Sequence, residues 1–245
     1  MAGFDETGLR VAGTLHWVHC ARTGKYTLIT CHRKRGREGI DDAGVLGRFG
    51  GVAVHDAWAP YDTYLDIEHQ LCCAHALREL AAVTDAAAPD DWSWADQAAD
   101  ALVAMHKLVA EAIATAAANA VNPQALTEQL RLYRSAVQIG LIHTAARLDA
   151  VMRKHNALAR RLPDRQDDYL RFISDWRIPA DNNGSERDPY DQTSPEGVRL
   201  PPLTHRSQTV LRHPQLPIHR RQTWQALIRH PRDACRKTPR AASTH

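Results

Sequence analysis

Two short runs near the front of the chain alternate partly between apolar and polar positions and are rich in β-formers: TLHWVHCA at 14–21 and KYTLITC at 25–31. Thr23-Gly24 between them suits a tight turn, so the pair predicts an antiparallel hairpin. Residues 38–48 predict a short helix ending near Gly50-Gly51. GVAVHD at 51–56 is a compact apolar run and predicts a buried strand with Asp56 at its C-terminal end. IEHQLCC at 67–73 predicts a further strand, and AHALRELAAV at 74–83 a helix leaving it. Strands followed by strand–helix alternation indicate a mixed α/β sheet.

From Trp92 to Trp176 the period changes. Leu102, Met105, Leu108, Val109 and Ala112 recur at helical spacing, Asn122-Pro123 breaks the run, and Leu126, Leu130, Leu132 and Val137 mark a second long helix. The stretch reads as an all-helical block of about three helices whose apolar stripes are core. RIPADNNGSERD at 177–188 then reads as a polar loop opening a helix, with Asn183 or Ser185 as cap and Glu186 in the first turn. Beyond Asp188 no period is sustained. Seven prolines and five histidines fill 190–245, a composition that predicts a mostly disordered tail.

Composition adjusts this picture modestly. The 245 residues are 44% hydrophobic and 24% charged, enough for a real core. No apolar run approaches a bilayer span and the N-terminus has no signal-like pattern, so a cytoplasmic protein without membrane contact is expected. Five cysteines at irregular spacing suggest reduced thiols rather than a disulfide framework. The net charge of +3 is uneven: residues 190–245 hold ten Lys/Arg against three Asp/Glu, leaving 21 against 25 in the rest.

Three acids stand out by context. Asp5 sits in FDETG ahead of the hairpin, Asp56 ends an apolar strand in VHDAW, and Glu186 opens a helix in NNGSER. Carboxylates placed at strand ends and a helix terminus can converge at one sheet edge and hold two Mg²⁺ ions about 4 Å apart, the arrangement used for phosphodiester displacement. A chain with 28 acids offers many such triples by chance, and Glu186 at a helix start also suits the helix dipole. Cys72, Cys73 and His75 raise a zinc site, but no second Cys/His pair lies nearby, and small buried thiols closing a strand are the better reading. Trp58 and Tyr61 suit base stacking or, more often for such aromatics, core packing. His55 beside the second acid either supports it or is packed away. The run HRKRGRE at 32–38, with Lys34 and Arg35, is either a solvated loop or a set of phosphate contacts.

The longer words DETGLRVAGTLHWVH (5–19), HRKRGREGIDDAGVL (32–46), GVAVHDAWAPYDTY (51–64), HQLCCAHALREL (69–80) and PADNNGSERD (179–188) resemble, in order, transposases of the insertion sequence 66 family, members of the DDE group. The resemblance implies an RNase H-like mixed sheet. It also implies that Asp5, Asp56 and Glu186 are the catalytic, metal-holding acids, with Mg²⁺ or Mn²⁺ as cofactor. The helical block becomes an insertion, giving a core at 1–90, the insertion at 91–176, the return to the core at 177–189 and the tail at 190–245. Cys72, His75, Arg78 and Glu79 match a further family element, and Arg78, Arg187, Lys34 and Arg35 are candidate DNA contacts. The implied activity is cleavage at transposon ends and strand transfer into target DNA, in a nucleoid-associated protein partnered by DNA and by full-length transposase or itself. Other classes remain open: a stand-alone RNase H-like nuclease, or a non-enzymatic remnant that binds DNA or full-length transposase.

The resemblance stops at PYDQTSPEGVRLPPLTH, 189–205. Synonymous codons exist for Asp191 to Pro201 that, read one base later, spell a basic stretch like the family's own continuation. A frameshift near Pro189 is therefore expected, and it accounts for the basic, Pro- and His-rich tail. Only four residues precede Asp5, where an RNase H-like core has a strand delivering its first acid, and no DNA-recognition region is seen upstream. A copy defective in transposition is expected.

Overall fold

Residues 2–11 show no hydrophobic alternation, yet they form the longest strand. In the computed structural model, which describes residues 1–87, 92–115, 121–183, 185 and 208–212, β1 runs Ala2–Val11 and pairs with β2 (Thr14–Arg22) in an unbroken antiparallel register from Gly3↔Arg22 to Val11↔Thr14. This corrects the expectation that the leading strand is missing: Asp5 lies inside β1, not ahead of the first hairpin. Ala12 and Gly13 both take positive φ, 49° and 80°, the backbone that a two-residue turn between twisted strands requires. β3 (Tyr26–His32) follows antiparallel to β2. The connecting turn is held by Thr23, whose Oγ1 accepts from the Tyr26 N–H at 3.1 Å.

The chain then crosses over through α1 (Arg37–Asp42) and a 3-10 turn at Leu46–Arg48. β4 (Val52–His55) adds parallel to β1, and β5 (Glu68–Leu71) parallel to β4. Ala2, Phe4, Ala53, Ile40, Leu46 and Tyr61 close one face of this sheet. A sixth strand, β6 (Gln208–Arg212), lies antiparallel on β3, so the sheet of the described residues runs β5-β4-β1-β2-β3-β6. β6 is the described part of the tail, and Met1–His213 forms one compact unit. The mixed α/β sheet matches the class expected from the pattern.

α2 (Cys73–Asp85) leaves β5, and α3 (Trp94–Thr115), α4 (Pro123–His143), α5 (Ala150–Asp164) and α6 (Gln166–Ser174) follow. The helical block thus has four described helices where the periodicity suggested about three. Asn122 and Asp149 cap α4 and α5 by accepting from Ala125 N and Met152 N. The block is joined to the sheet through α6. Gln70 of β5, fully buried, donates to the Tyr169 carbonyl at 3.1 Å and accepts from Phe172 N at 3.2 Å, and Arg171 Nε donates to the His69 carbonyl at 2.9 Å. These bonds satisfy polar groups along an edge strand that would otherwise be open. Two ion pairs add to the joint, Arg161–Glu79 at 2.5 Å and Arg165–Asp62 at 2.6 Å.

α3 and α4 pack tightly at Gly140, where a Cβ would lie 2.6 Å from the ring of buried Trp94. Gly140→Ala should therefore destabilise the fold by about 1–3 kcal/mol through overpacking, although alanine favours helix by up to ~1 kcal/mol. Urea unfolding reads this directly, and a variant as stable as the parent would contradict the close approach.

Candidate active site

The parallel pairing of β1 with β4 fixes the register between the strand that carries Asp5 and the strand that leads to Asp56. Ala2 pairs with Ala53 and Gly3 with Val54, and the same offset carried two residues further brings Asp5 level with Asp56. By strand alternation Asp5 shares the face of Gly3, and Asp56 that of Val54. Both acids are half-buried. Burial raises the Tyr61 hydroxyl well above its ordinary pKa, and the charges of Glu6, Asp5 and Asp56 push in the same direction. Asp56 turns the chain as it leaves β4: its Oδ1 accepts from the Trp58 N–H at 3.1 Å.

The segment expected to bring the third acid returns over the same face. Ala180 accepts from Cys73 N at 2.8 Å, Asn182 N donates to Cys72 Sγ at 3.3 Å, and Asn182 Nδ2 donates to the Phe4 carbonyl at 2.7 Å. Ser185 N donates back to the Asn182 carbonyl at 2.9 Å. A side chain at residue 3 would collide with this segment, because a Cβ there would lie 2.1 Å from Ser185 Oγ and 2.6 Å from Asn182 Oδ1. Asn182 and Ser185 therefore lie over β1 at Gly3, two residues before Asp5 and, by strand alternation, on Asp5's side. Glu186 and Arg187 lie outside the described residues.

On the opposite face of β1 sits a group that the sequence reading did not single out. Glu6, with a side chain 1% exposed, accepts from Arg35 through Nε at 3.0 Å and Nη2 at 2.7 Å on one oxygen, and from the Tyr61 hydroxyl at 2.7 Å on the other. Burial lifts its carboxyl above the ordinary range, the hydrogen bonds from Tyr61 and Arg35 pull it back, and the nearby Asp56 charge pushes with burial. The Arg35 guanidinium lies over the rings of Trp58 at 4.1 Å and Trp17 at 4.9 Å. His55, fully buried, stacks on Tyr61 with centroids 4.3 Å apart. Its Nδ1 faces the Asp56 carbonyl, and its Nε2 lies 2.8 Å from His69 Nδ1. For neutral rings this geometry has His55 donate to Asp56 and accept from His69.

The other expected residues divide. Tyr61 is core, 2% exposed, and Trp58 is half-buried against Arg35. Within the run at 32–38, Lys34 is exposed while Arg35 turns inward to Glu6. Arg78 is exposed on α2. Cys72 and Cys73 are buried; the Cys73 thiol donates to the Tyr169 carbonyl at 3.3 Å, and burial raises its pKa well above the usual thiol range. Among the described residues no three His, Cys, Asp or Glu side chains are gathered to hold a metal; Asp5 and Asp56 are two of the three acids expected to do so. No described helix is long and apolar enough to cross a membrane.

The described site is thus two acids at one offset on neighbouring parallel strands, with Asn182 and Ser185 packed over Gly3 beside them. The family model described as Transposase IS66 family matches residues 1–188, and the chain belongs to that family. No curated protein and no solved structure matches the chain.

Burial holds His55 well below the ordinary histidine value, at about 4, with the neighbouring His69 adding to the effect and the Asp56 carbonyl opposing it. Between pH 6.5 and 4 the unfolded chain binds a proton that the folded chain refuses, so stability falls as pH is lowered through that window, by up to about 3 kcal/mol. His55→Phe keeps the stack on Tyr61 and cannot titrate. Its loss of urea stability between pH 7 and pH 4.5 should be smaller than the parent's by about 2 kcal/mol, and equal losses would refute the assignment.

Proposed function

We propose that residues 1–188 are the catalytic core of a DDE transposase, with Asp5, Asp56 and Glu186 as its acids. What supports this is the β1–β4 register, whose offset carried beyond Gly3↔Val54 takes Asp5 to Asp56, together with the packing of Asn182 and Ser185 over Gly3. The strand order β5-β4-β1-β2-β3, with β2 alone antiparallel, supports an RNase H-like reading of the sheet. Family membership supports DNA as the partner.

The donor set fits a hard divalent cation, Mg²⁺ or Mn²⁺, because its described members are carboxylate oxygens on a half-exposed rim. Bound there, such ions would supply activation of water and charge stabilisation at the attacked phosphate. Asp5 is held by β1, Asp56 by its turn onto Trp58 N, and Glu186 follows the bonded segment at Ser185. The reaction would begin with water attacking the phosphodiester at the element's end and releasing a 3′-hydroxyl. That oxygen would then attack a target phosphodiester, forming the new strand and freeing the target's own 3′-hydroxyl. Alignment of the attacking and leaving oxygens would be the chain's contribution.

The family match ends at residue 188, one residue before the frameshift inferred at Pro189, and we read the remainder as out of frame. The chain as it stands should join pre-processed ends weakly or not at all. A version with the frame restored after Asp188 should join them in a Mg²⁺-dependent reaction that Asp56→Asn or Asp5→Asn takes below detection. Joining that survives either substitution overturns the site; joining by the present chain that is lost in Asp56→Asn overturns only the defect. Cleavage without joining would point to a nuclease, and DNA binding alone to a non-enzymatic remnant. The gene's nucleotides test the frame directly, since codons that do not yield the family's continuation one base later end that idea.

A further inference from the structure

Two links grip the turn that carries Asp56. Downstream, the Trp58 N–H holds Asp56 Oδ1 while the Trp58 ring lies over Arg35 at 4.1 Å. Upstream, His55 faces the Asp56 carbonyl and stacks on Tyr61 at 4.3 Å. Arg35 and Tyr61 come from different parts of the chain, and both end on Glu6: two N–H groups of Arg35 on one carboxylate oxygen, the Tyr61 hydroxyl on the other. The links form a closed ring, Asp56 to Trp58 to Arg35 to Glu6 to Tyr61 to His55 and back. Glu6 is also the residue after Asp5. One side chain thereby ties the strand that holds the first acid to the turn that holds the second.

Packing alone does not call for a carboxylate here. Taking a carboxylate out of water is expensive, and an apolar group of the same shape is often at least as stabilising. A charge kept at a site 1% exposed, with both oxygens occupied, is better suited to fixing geometry than to adding stability. Direct metal ligation is excluded by the same facts, since Glu6 points to the face of β1 opposite Asp5 and its two oxygens are taken by Arg35 and Tyr61.

We propose that Glu6 is the positioning residue of the two-aspartate site, setting the placement of Asp56 relative to Asp5 through Arg35–Trp58 on one side and Tyr61–His55 on the other. The proposal rests on the reading of Asp5 and Asp56 as metal-holding acids. Groups that orient ligands from behind typically change metal affinity about 10–100-fold when removed, and that is the size of effect required of Glu6.

The test uses the full chain and Mn²⁺ alone as probe, with affinity from calorimetric titration, the spin-resonance spectrum of the bound ion, and thermal melting in parallel. The parent should bind Mn²⁺ and Asp56→Asn should lose it. Glu6→Gln should weaken binding about tenfold or more and alter the bound-ion spectrum. Tyr61→Phe, which removes one hydroxyl, should weaken it in the same direction, and the double variant should lose little beyond Glu6→Gln because both break one ring. Should Glu6→Gln fail to fold, Tyr61→Phe carries the test. Gly140→Ala, which strains the α3–α4 contact away from the site, should lower melting yet leave Mn²⁺ affinity unchanged, separating positioning from general loosening. Affinity within twofold of the parent in folded Glu6→Gln, or in Tyr61→Phe where Glu6→Gln does not fold, overturns the positioning role while the metal reading stands if Asp56→Asn still abolishes binding. A parent that does not bind Mn²⁺, or an Asp56→Asn variant that binds as the parent does, overturns both.

Discussion

The hydrogen bond from Asn182 Nδ2 to the Phe4 carbonyl joins groups 178 residues apart, and the rest of the architecture is arranged around making it possible. The β1–β4 pairing ends at Gly3↔Val54, so the next carbonyl on β1 needs another partner. A buried carbonyl left without one costs about 1–3 kcal/mol. Asn182 supplies it, and its own N–H is taken by Cys72. The helices α2 to α6 are therefore a detour whose two ends meet: the chain leaves the sheet at Cys73 and is back beside it at Ala180, 2.8 Å from where it left. Closing a long loop costs only slightly more entropy than closing a short one, so a detour of this length is tolerable once its ends are bonded. The Gln70 and Arg171 contacts keep it against the sheet, and Arg161–Glu79 ties α5 to α2 within it.

One stretch of β1 meets opposite electrostatic demands on its two faces. Glu6 is withdrawn from water and matched by a guanidinium and a phenol. Asp5, its neighbour, stays half-exposed on the side where Asn182 and Ser185 pack over Gly3. Alternation along a strand makes this possible at adjacent positions, since successive side chains have separate environments although their backbones are continuous. The Tyr61 phenol is pushed above its ordinary pKa by burial first, and then by the charges of Glu6, Asp5 and Asp56.

Most of the sheet was legible in the sequence because its buried strands are apolar and its turns carry ordinary turn residues. β2 to β5 and α2 fall within a few residues of where periodicity puts them. β1 was not legible: Asp5, Glu6 and Thr7 interrupt its hydrophobicity, and what makes it a strand is pairing along nine positions of β2, a non-local fact. The fourth described helix was hidden because α5 and α6 meet at Pro163–Arg165 with hardly a gap in the apolar period. Around the candidate site, the position of Asp56 just past β4 could be read from an apolar run ending in an acid, and Tyr61 as core. The role of Glu6 could not, because Arg35 and Tyr61 lie 29 and 55 residues away and neither spacing has a local meaning. A glutamate next to an expected catalytic aspartate, with an arginine in a basic run, was the available signal.

Gly3 carries a consequence for how such a site can vary. The loop that closes over β1 rests where a side chain would otherwise be, with Ser185 Oγ and Asn182 Oδ1 inside the volume of a methyl group. Clearance between β1 and the segment over it is thus set by missing atoms at residue 3, while the Asn182–Phe4 bond holds the two together. Enlarging residue 3 would act as a wedge, lifting the closing segment bodily while Asp5 and Asp56 stayed level with each other.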